Sequence, residues 1–286
     1  MSTHRTARLL GLPVVLAIVS GCASTPPAPS AAPAPSSPVG SASSAPAAGV
    51  DSVALRTPLD HVHGLAVGSD GALLAGTHTG VVALDLDGGV TRVGDGSVDL
   101  MGFTGVPGTD RLASSGHPGA GSSLPDPVGL LASDDGGSTW RSVALQGEVD
   151  FHALASDGRL VVGYDGRTGL LVSDDGGARF RPGAAIAPAA LAVTPEGVWA
   201  TTSEGLQRSV DEGASFAVVD GAPTLVLLAA GPDGSLWGVD VQGRAWRSTD
   251  GTGWEAVGAV GAVEAIAVAG FDRAYAVTAE RLDVLG

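Results

Sequence analysis

Apolar and polar positions along residues 60–286 fall into short runs, each only a strand long. One run recurs six times: HGLAV (63–67), MGFTG (101–105), HALAS (152–156), AALAV (189–193), VLLAA (226–230) and EAIAV (264–268). After each comes an acidic residue followed by Gly or Arg: Asp70-Gly71, Asp110-Arg111, Asp157-Gly158, Glu196-Gly197, Asp233-Gly234 and Asp272-Arg273. A second apolar run follows, as at 72–77 and 159–164. Runs of this length, rich in Val and Leu and bounded by Gly and Asp, predict strands joined by tight turns. The chain therefore reads as all-β, with six repeated units between residues 51 and 286.

A second repeat runs in step with the first. Residues 133–140 (SDDGGSTW), 173–180 (SDDGGARF), 209–216 (SVDEGASF) and 248–254 (STDGTGW) share a spacing of Ser, Asp, Gly and an aromatic. Their starts lie 40, 36 and 39 residues apart. The Asp can accept backbone N–H bonds across a hairpin, and the Gly supplies the freedom that the turn needs. Asp135, Asp175, Asp211 and Asp250 are therefore read as structural, with Trp140, Phe180, Phe216 and Trp254 packed beneath them. The pattern resembles the Asp-box, or BNR, repeat S-x-D-x-G-x-x-W of sialidase-like β-propellers. The first copy matches fully, two have Phe for Trp, and the fourth is one residue short. The resemblance implies a single β-propeller with the boxes on the hairpin between the third and fourth strands, away from the ligand face. Six four-stranded blades is the simplest closure, since a circular array protects its sheet edges. The last unit has sequence for only about three strands, and residues 53–56 can supply its outer strand and close the ring.

Aligning the units places equivalent positions in columns. The residues opening the innermost strands are His63, Met101, His152, Ala189, Val226 and Glu264. Two positions earlier, on the same side of the strand, stand His61, Asp99, Asp150, Ala187, Thr224 and Ala262. The second strands end at His78, His117, Asp165, Glu204, Val241 and Ala279. In a propeller these columns surround one mouth of the channel. Every histidine after His4 falls in them, all in the first three units. Mixtures of His, Met and Asp suit copper, nickel or zinc. The expected ligand or metal site is His63, His78, His117 and His152, with Met101 and Asp165 nearby. His61, Asp99 and Asp150 would orient the imidazoles. The longest insertion, residues 116–127 (GHPGAGSSLPDP), extends over the same mouth.

Composition narrows the chemistry. Lys+Arg is 15 against Asp+Glu 30, for a formal net charge of −15, and every one of those cations is an arginine. A lysine Schiff base and a P-loop are excluded. An acidic chain without lysine has no electrostatic footprint for nucleic acid. The one cysteine excludes an internal disulfide and a cysteine-based zinc site.

That cysteine belongs to a targeting signal. His4, Arg5 and Arg8 precede an apolar run at 9–20 (LLGLPVVLAIVS), which is short for a membrane span and of signal-peptide length. Val19-Ser20-Gly21-Cys22 resembles the bacterial lipobox, which implies removal of residues 1–21 and a diacylglyceryl anchor on Cys22. Residues 23–50 hold 9 Ala, 7 Pro and 7 Ser without a charge or an aromatic, and read as a disordered tether. The expectation is an extracytoplasmic protein, lipid-anchored to the bacterial cell membrane.

More narrowly, HVHGLAV, DLMGF, SSGHPG and GEVDFHALA resemble small secreted or lipid-anchored bacterial propellers catalogued as sialidase-like glycosyl hydrolases. That resemblance implies a hydrolase, yet a sialidase also requires an arginine triad and a tyrosine nucleophile with a glutamate partner. Of the arginines, none falls in the mouth columns, and Tyr164 and Tyr275 are the only tyrosines. Three classes stand: a binding module for a metal ion, small ligand or glycan; a glycoside hydrolase using channel carboxylates; and an assembly propeller acting through its outer faces.

Overall fold

The computed structural model describes residues 49–286. The signal segment, Cys22 and the tether as far as residue 48 lie outside the described residues. Within them the chain is all strand and turn, with no helix.

The first strand, β1 (Val50–Ala54), belongs to the last blade. Blade 1 is β2 (Val62–Val67), β3 (Leu73–Thr77), β4 (Gly80–Leu84) and β5 (Val90–Val93). Blade 2 is β6 (Asp99–Gly105), β7 (Leu112–His117), β8 (Leu130–Ser133) and β9 (Arg141–Ala144). Blade 3 is β10 (Ala153–Ser156), β11 (Val161–Tyr164), β12 (Leu170–Ser173) and β13 (Arg181–Pro182). Blade 4 is β14 (Ala190–Thr194), β15 (Gly197–Thr202), β16 (Gly205–Ser209) and β17 (Ala217–Val218). Blade 5 is β18 (Leu225–Ala230), β19 (Leu236–Asp240), β20 (Arg244–Ser248) and β21 (Glu255–Ala259). Blade 6 is β22 (Ala265–Gly270), β23 (Arg273–Val277) and β24 (Arg281–Leu285), completed by β1. The six-bladed propeller predicted from the repeats is the fold observed.

The inner strands β2, β6, β10, β14, β18 and β22 touch in that order, and β22 returns to β2. They enclose a central cavity of about 150 Å³. Apolar clusters fill the wedges between blades. One joins Ala66, Leu74 and Val81 of blade 1 to Leu100, Phe103 and Leu112 of blade 2. Burial on both faces explains why the second strands read as near-continuous apolar runs; β3 and β19 are buried along their whole length.

Closure differs in register from the sequence expectation. The closing strand is Val50–Ala54, which pairs antiparallel with β24 from Val50↔Leu285 to Ala54↔Arg281. That register lets Ser52 Oγ donate to Asp283 Oδ1 at 2.6 Å, while Arg281 Nε meets the same oxygen at 2.7 Å. Arg56 lies beyond the strand and pairs with Asp87 on the surface at 2.7 Å.

The Asp boxes fall on the hairpins after β8, β12, β16 and β20. In the first, Thr139 N and Oγ1 donate to Asp135 at 2.9 and 2.7 Å, and Gly137 N donates to Ser133 Oγ at 2.9 Å. Gly137 has φ +90°, and a Cβ there would stand 2.9 Å from Val81 of blade 1. Donors converging on Asp175 and Asp211 hold both carboxyls down to about 2. Trp140, Phe180, Phe216 and Trp254 each pack on the apolar wedge shared with the preceding blade.

Candidate functional site

Strand direction puts the start of each inner strand and the end of each second strand at one mouth of the channel, with the Asp-box hairpins at the other. Local backbone then decides which mouth side chains project. Along β2, Val62 pairs with Thr77 and Gly64 with Gly76, so His63 is the extra residue of a β-bulge. In blade 2, Met101 and Gly102 oppose a single residue between the Leu100↔Gly116 and Phe103↔Ser114 pairs. In blade 5, Val226 is extra between Leu225↔Asp240 and Leu227↔Val239. Bulges bend a strand and re-aim its side chains. Gly64 makes the first one compatible with its neighbour, because a Cβ there would lie 2.5 Å from the Phe103 carbonyl oxygen of blade 2.

The mouth histidines form two groups. In the first, His63 Nε2 lies 3.4 Å from His78 Nδ1 and 3.9 Å from Asp99 Oδ1, and His78 Nδ1 lies 2.8 Å from Asp99 Oδ1. These three donor atoms lie within 4.8 Å of one another, and theirs is the metal-competent group of this kind among the described residues. His61 packs edge-on to the His63 ring at 4.7 Å and stacks on His78 at 5.8 Å. The His63 side chain is 9% exposed. Burial, aided by the neighbouring His61 and His78, pushes its pKa down to about 4, so His63 is neutral at physiological pH.

The second group is a row of alternating acids and imidazoles. Asp126 Oδ1 lies 2.6 Å from His117 Nδ1. His117 Nε2 lies 3.4 Å, and His152 Nε2 3.2 Å, from Asp150 Oδ2. The bond to Asp126 raises the His117 pKa, and burial raises that of the Asp150 carboxyl. Asp150 Oδ1 is buried without a hydrogen-bond partner. His117 and Asp99 are cross-strand partners, so the two groups adjoin in blade 2.

The sequence expectation is thus redistributed. His63 and His78 come together, but with Asp99 as the third donor rather than a group behind the ligands. His117 and His152 meet around Asp150 instead. Met101 is half-buried within its bulge. Asp165 stands apart, its carboxylate accepting the Arg167 N–H at 3.0 Å in a local turn. Two participants escaped the site expected from sequence. Glu264 accepts from Val62 N and Ala279 N at 2.8 and 2.9 Å and meets His61 Nδ1 at 3.0 Å. It shares the His63 column, the signal by which it could have been found. Asp126 sits in the 116–127 insertion. The central cavity is lined by His63, His152 and Glu264 at this mouth and by mostly apolar residues below, with no arginine among its described lining residues.

Comparison with protein-family models and with curated sequences gives no match. Solved structures do match. A gluconolactonase from Xanthomonas campestris aligns at 13% identity and TM-score 0.62, over 82% of this chain and 89% of that one. YCF48 bound to a D1 peptide aligns at 14% identity and TM-score 0.53, over 82% of this chain and 96% of that one. A Bacteroides thetaiotaomicron protein aligns at 11% and TM-score 0.57, over 82% and 72%. At these identities the likeness is one of fold, the β-propeller.

Proposed function

We propose that this propeller is a lipid-anchored, extracytoplasmic binding module that holds a divalent transition-metal ion on His63, His78 and Asp99. One observation carries the reading: three donors from two adjacent blades, preorganised by strands and a bulge, lie 2.8–3.9 Å apart. A tetrahedral ion with bonds of ~2.0–2.1 Å sets its donors about 3.4 Å apart. Two imidazoles and one carboxylate suit zinc, nickel or copper, and also ferrous iron. Three protein ligands leave a position open for an exchangeable partner. His61, held by Glu264, buttresses both imidazoles, as groups behind metal ligands do.

The glycoside-hydrolase alternative draws on the four Asp boxes and the sialidase-like group they resemble. It has less support, because the cavity lining holds no arginine to clamp a sugar carboxylate and the box carboxylates are engaged in their own turns. An assembly role through the outer faces remains a further reading, and one neighbour in fold was solved bound to a peptide. The anchor on Cys22 rests on the lipobox alone.

Calorimetric titration of the protein, made without a His-tag, with Zn(II), Ni(II), Cu(II) and anaerobic Fe(II) tests the proposal. One equivalent should bind, and His63→Ala/His78→Ala should abolish it. Equal, weak binding by both proteins would refute the metal site.

A further inference from the structure

The mouth has two chemically different halves. Blades 1–3 carry the histidines, with acids from the same blades and Glu264 from blade 6. Blade 5, which faces blade 2 across a six-membered ring, carries Val226 and Val241 at the equivalent positions. Val226 is 38% and Val241 56% exposed, although most large apolar side chains of the described residues are buried. They are neighbours at the mouth end of the blade: Leu225 pairs with Asp240, and Val241 N donates to the Thr224 carbonyl. The bulge that projects His63 in blade 1 has its counterpart projecting Val226 in blade 5. Exposed valines elsewhere have no such device. Val210, 80% exposed, sits in an Asp-box turn at the opposite end.

Charge defines the other half of the occupant. A divalent ion on two neutral imidazoles and one carboxylate carries a net single positive charge with an open position. The other carboxylates beside it are held in place: Glu264 by two backbone N–H groups and His61, Asp126 by His117, and Asp150 through Oδ2 by His117 and His152, its Oδ1 lying buried away from the mouth. The open coordination position is the metal's, and it takes an anionic oxygen donor.

Resting on the metal reading above, we infer that the mouth binds a small amphiphilic anion, its carboxylate-type head on the metal and its apolar body across the channel against Val226 and Val241. The polar half selects the head and the bulged apolar half selects the body.

The probes are straight-chain carboxylates from acetate to octanoate, with octanol as the headless control, titrated into protein first loaded with Zn(II). Affinity should rise roughly three- to fourfold per methylene, as for burial of CH₂ groups, and octanol should bind far more weakly than octanoate. Val226→Ser/Val241→Ser should flatten the chain-length series while Zn(II) affinity is unchanged, and Val210→Ser should leave both as they were. A flat series on the Zn(II)-loaded wild type, a slope that survives the double substitution, or octanol equal to octanoate would overturn the inference with the metal site intact. Failure of Zn(II) to bind in the first titration would instead remove the metal reading, and this one with it.

Discussion

His78 Nδ1 and Asp99 Oδ1 meet at 2.8 Å across the junction of blades 1 and 2. An ion bound to both atoms takes the place of the proton between them, which moves to Nε2 in a neutral ring and leaves for solvent from a cationic one. Proton release on metal binding should therefore grow as pH falls. Asp99→Asn keeps the shape but removes the charge, and should weaken metal binding at least tenfold, since even groups that only orient a ligand cost ~10–100-fold when changed. Isothermal titration in buffers of different ionisation enthalpy reads both. Unchanged affinity in Asp99→Asn would remove it from the donors.

The two groups of histidines should give opposite acid responses. His63 is neutral in the fold down to about 4, whereas the unfolded chain protonates it from ~6.5 downward. The unfolded state then binds more protons, and stability falls as pH drops from 6.5 to 4, by on the order of 2–3 kcal/mol. His117 has its pKa raised by Asp126, so its contribution is present below ~6.5 and is lost as pH rises through its folded value. In urea melts of the metal-free protein, His63→Gln should flatten the acid-side decline and His117→Gln should steepen it. Parallel pH profiles for both variants would contradict these environments.

The Asp boxes should contribute stability without touching the mouth. Asp135→Ala strips acceptors from Thr139 N and Oγ1 and from Ser133 Oγ, which costs about 1–3 kcal/mol. In a domain of this size that lowers Tm by roughly 2–10 °C. Calorimetric scanning gives the loss, and metal titration of the folded protein should give an unchanged Kd. Weaker binding at unchanged Tm would place the box at the ligand.

Ring closure concentrates on Asp283, which is fully buried between Ser52 and Arg281. Asp283→Ala leaves the partly exposed guanidinium with only the Val260 carbonyl and strips the acceptor from Ser52, which should cost about 1–3 kcal/mol, with amide exchange accelerating first along β1 and β24. Loss of protection spread evenly over all six blades would mean that closure is not the weak point.

Cys22 should carry the anchor. In the native host, Cys22→Ser should leave the precursor unprocessed or release the protein from the membrane fraction. Membrane retention at the mature mass, read by fractionation and intact mass spectrometry, would refute a lipid anchor there.

Much of this molecule is written in local chemistry. The Ser-x-Asp spacing, the Asp-Gly turns and the apolar runs each act over a few residues, so their repetition alone specifies six blades, their strand order and the end of the channel at which every histidine after His4 lies. The blade columns identify His63, His78, His117 and His152 as neighbours of one mouth for the same reason: strand alternation and hairpin reversal are local rules. Which of them touch is decided elsewhere. A bulge inserts one residue at His63 and another at Val226, and neither leaves a mark in the repeat alignment; the first depends on how closely Gly64 fits against the Phe103 carbonyl of blade 2. Asp99 becomes a donor because the wedge between blades 1 and 2 brings it under His78, while Asp150 draws His117 and His152 away to a separate group. Asp165, in the same column as His78, turns back to its own loop. The register of Val50–Ala54 likewise depends on a contact 231 positions apart in the chain, Ser52 with Asp283. Repeat spacing encodes the blades, and packing between blades, acting across sequence distance, sets the pairings at the site.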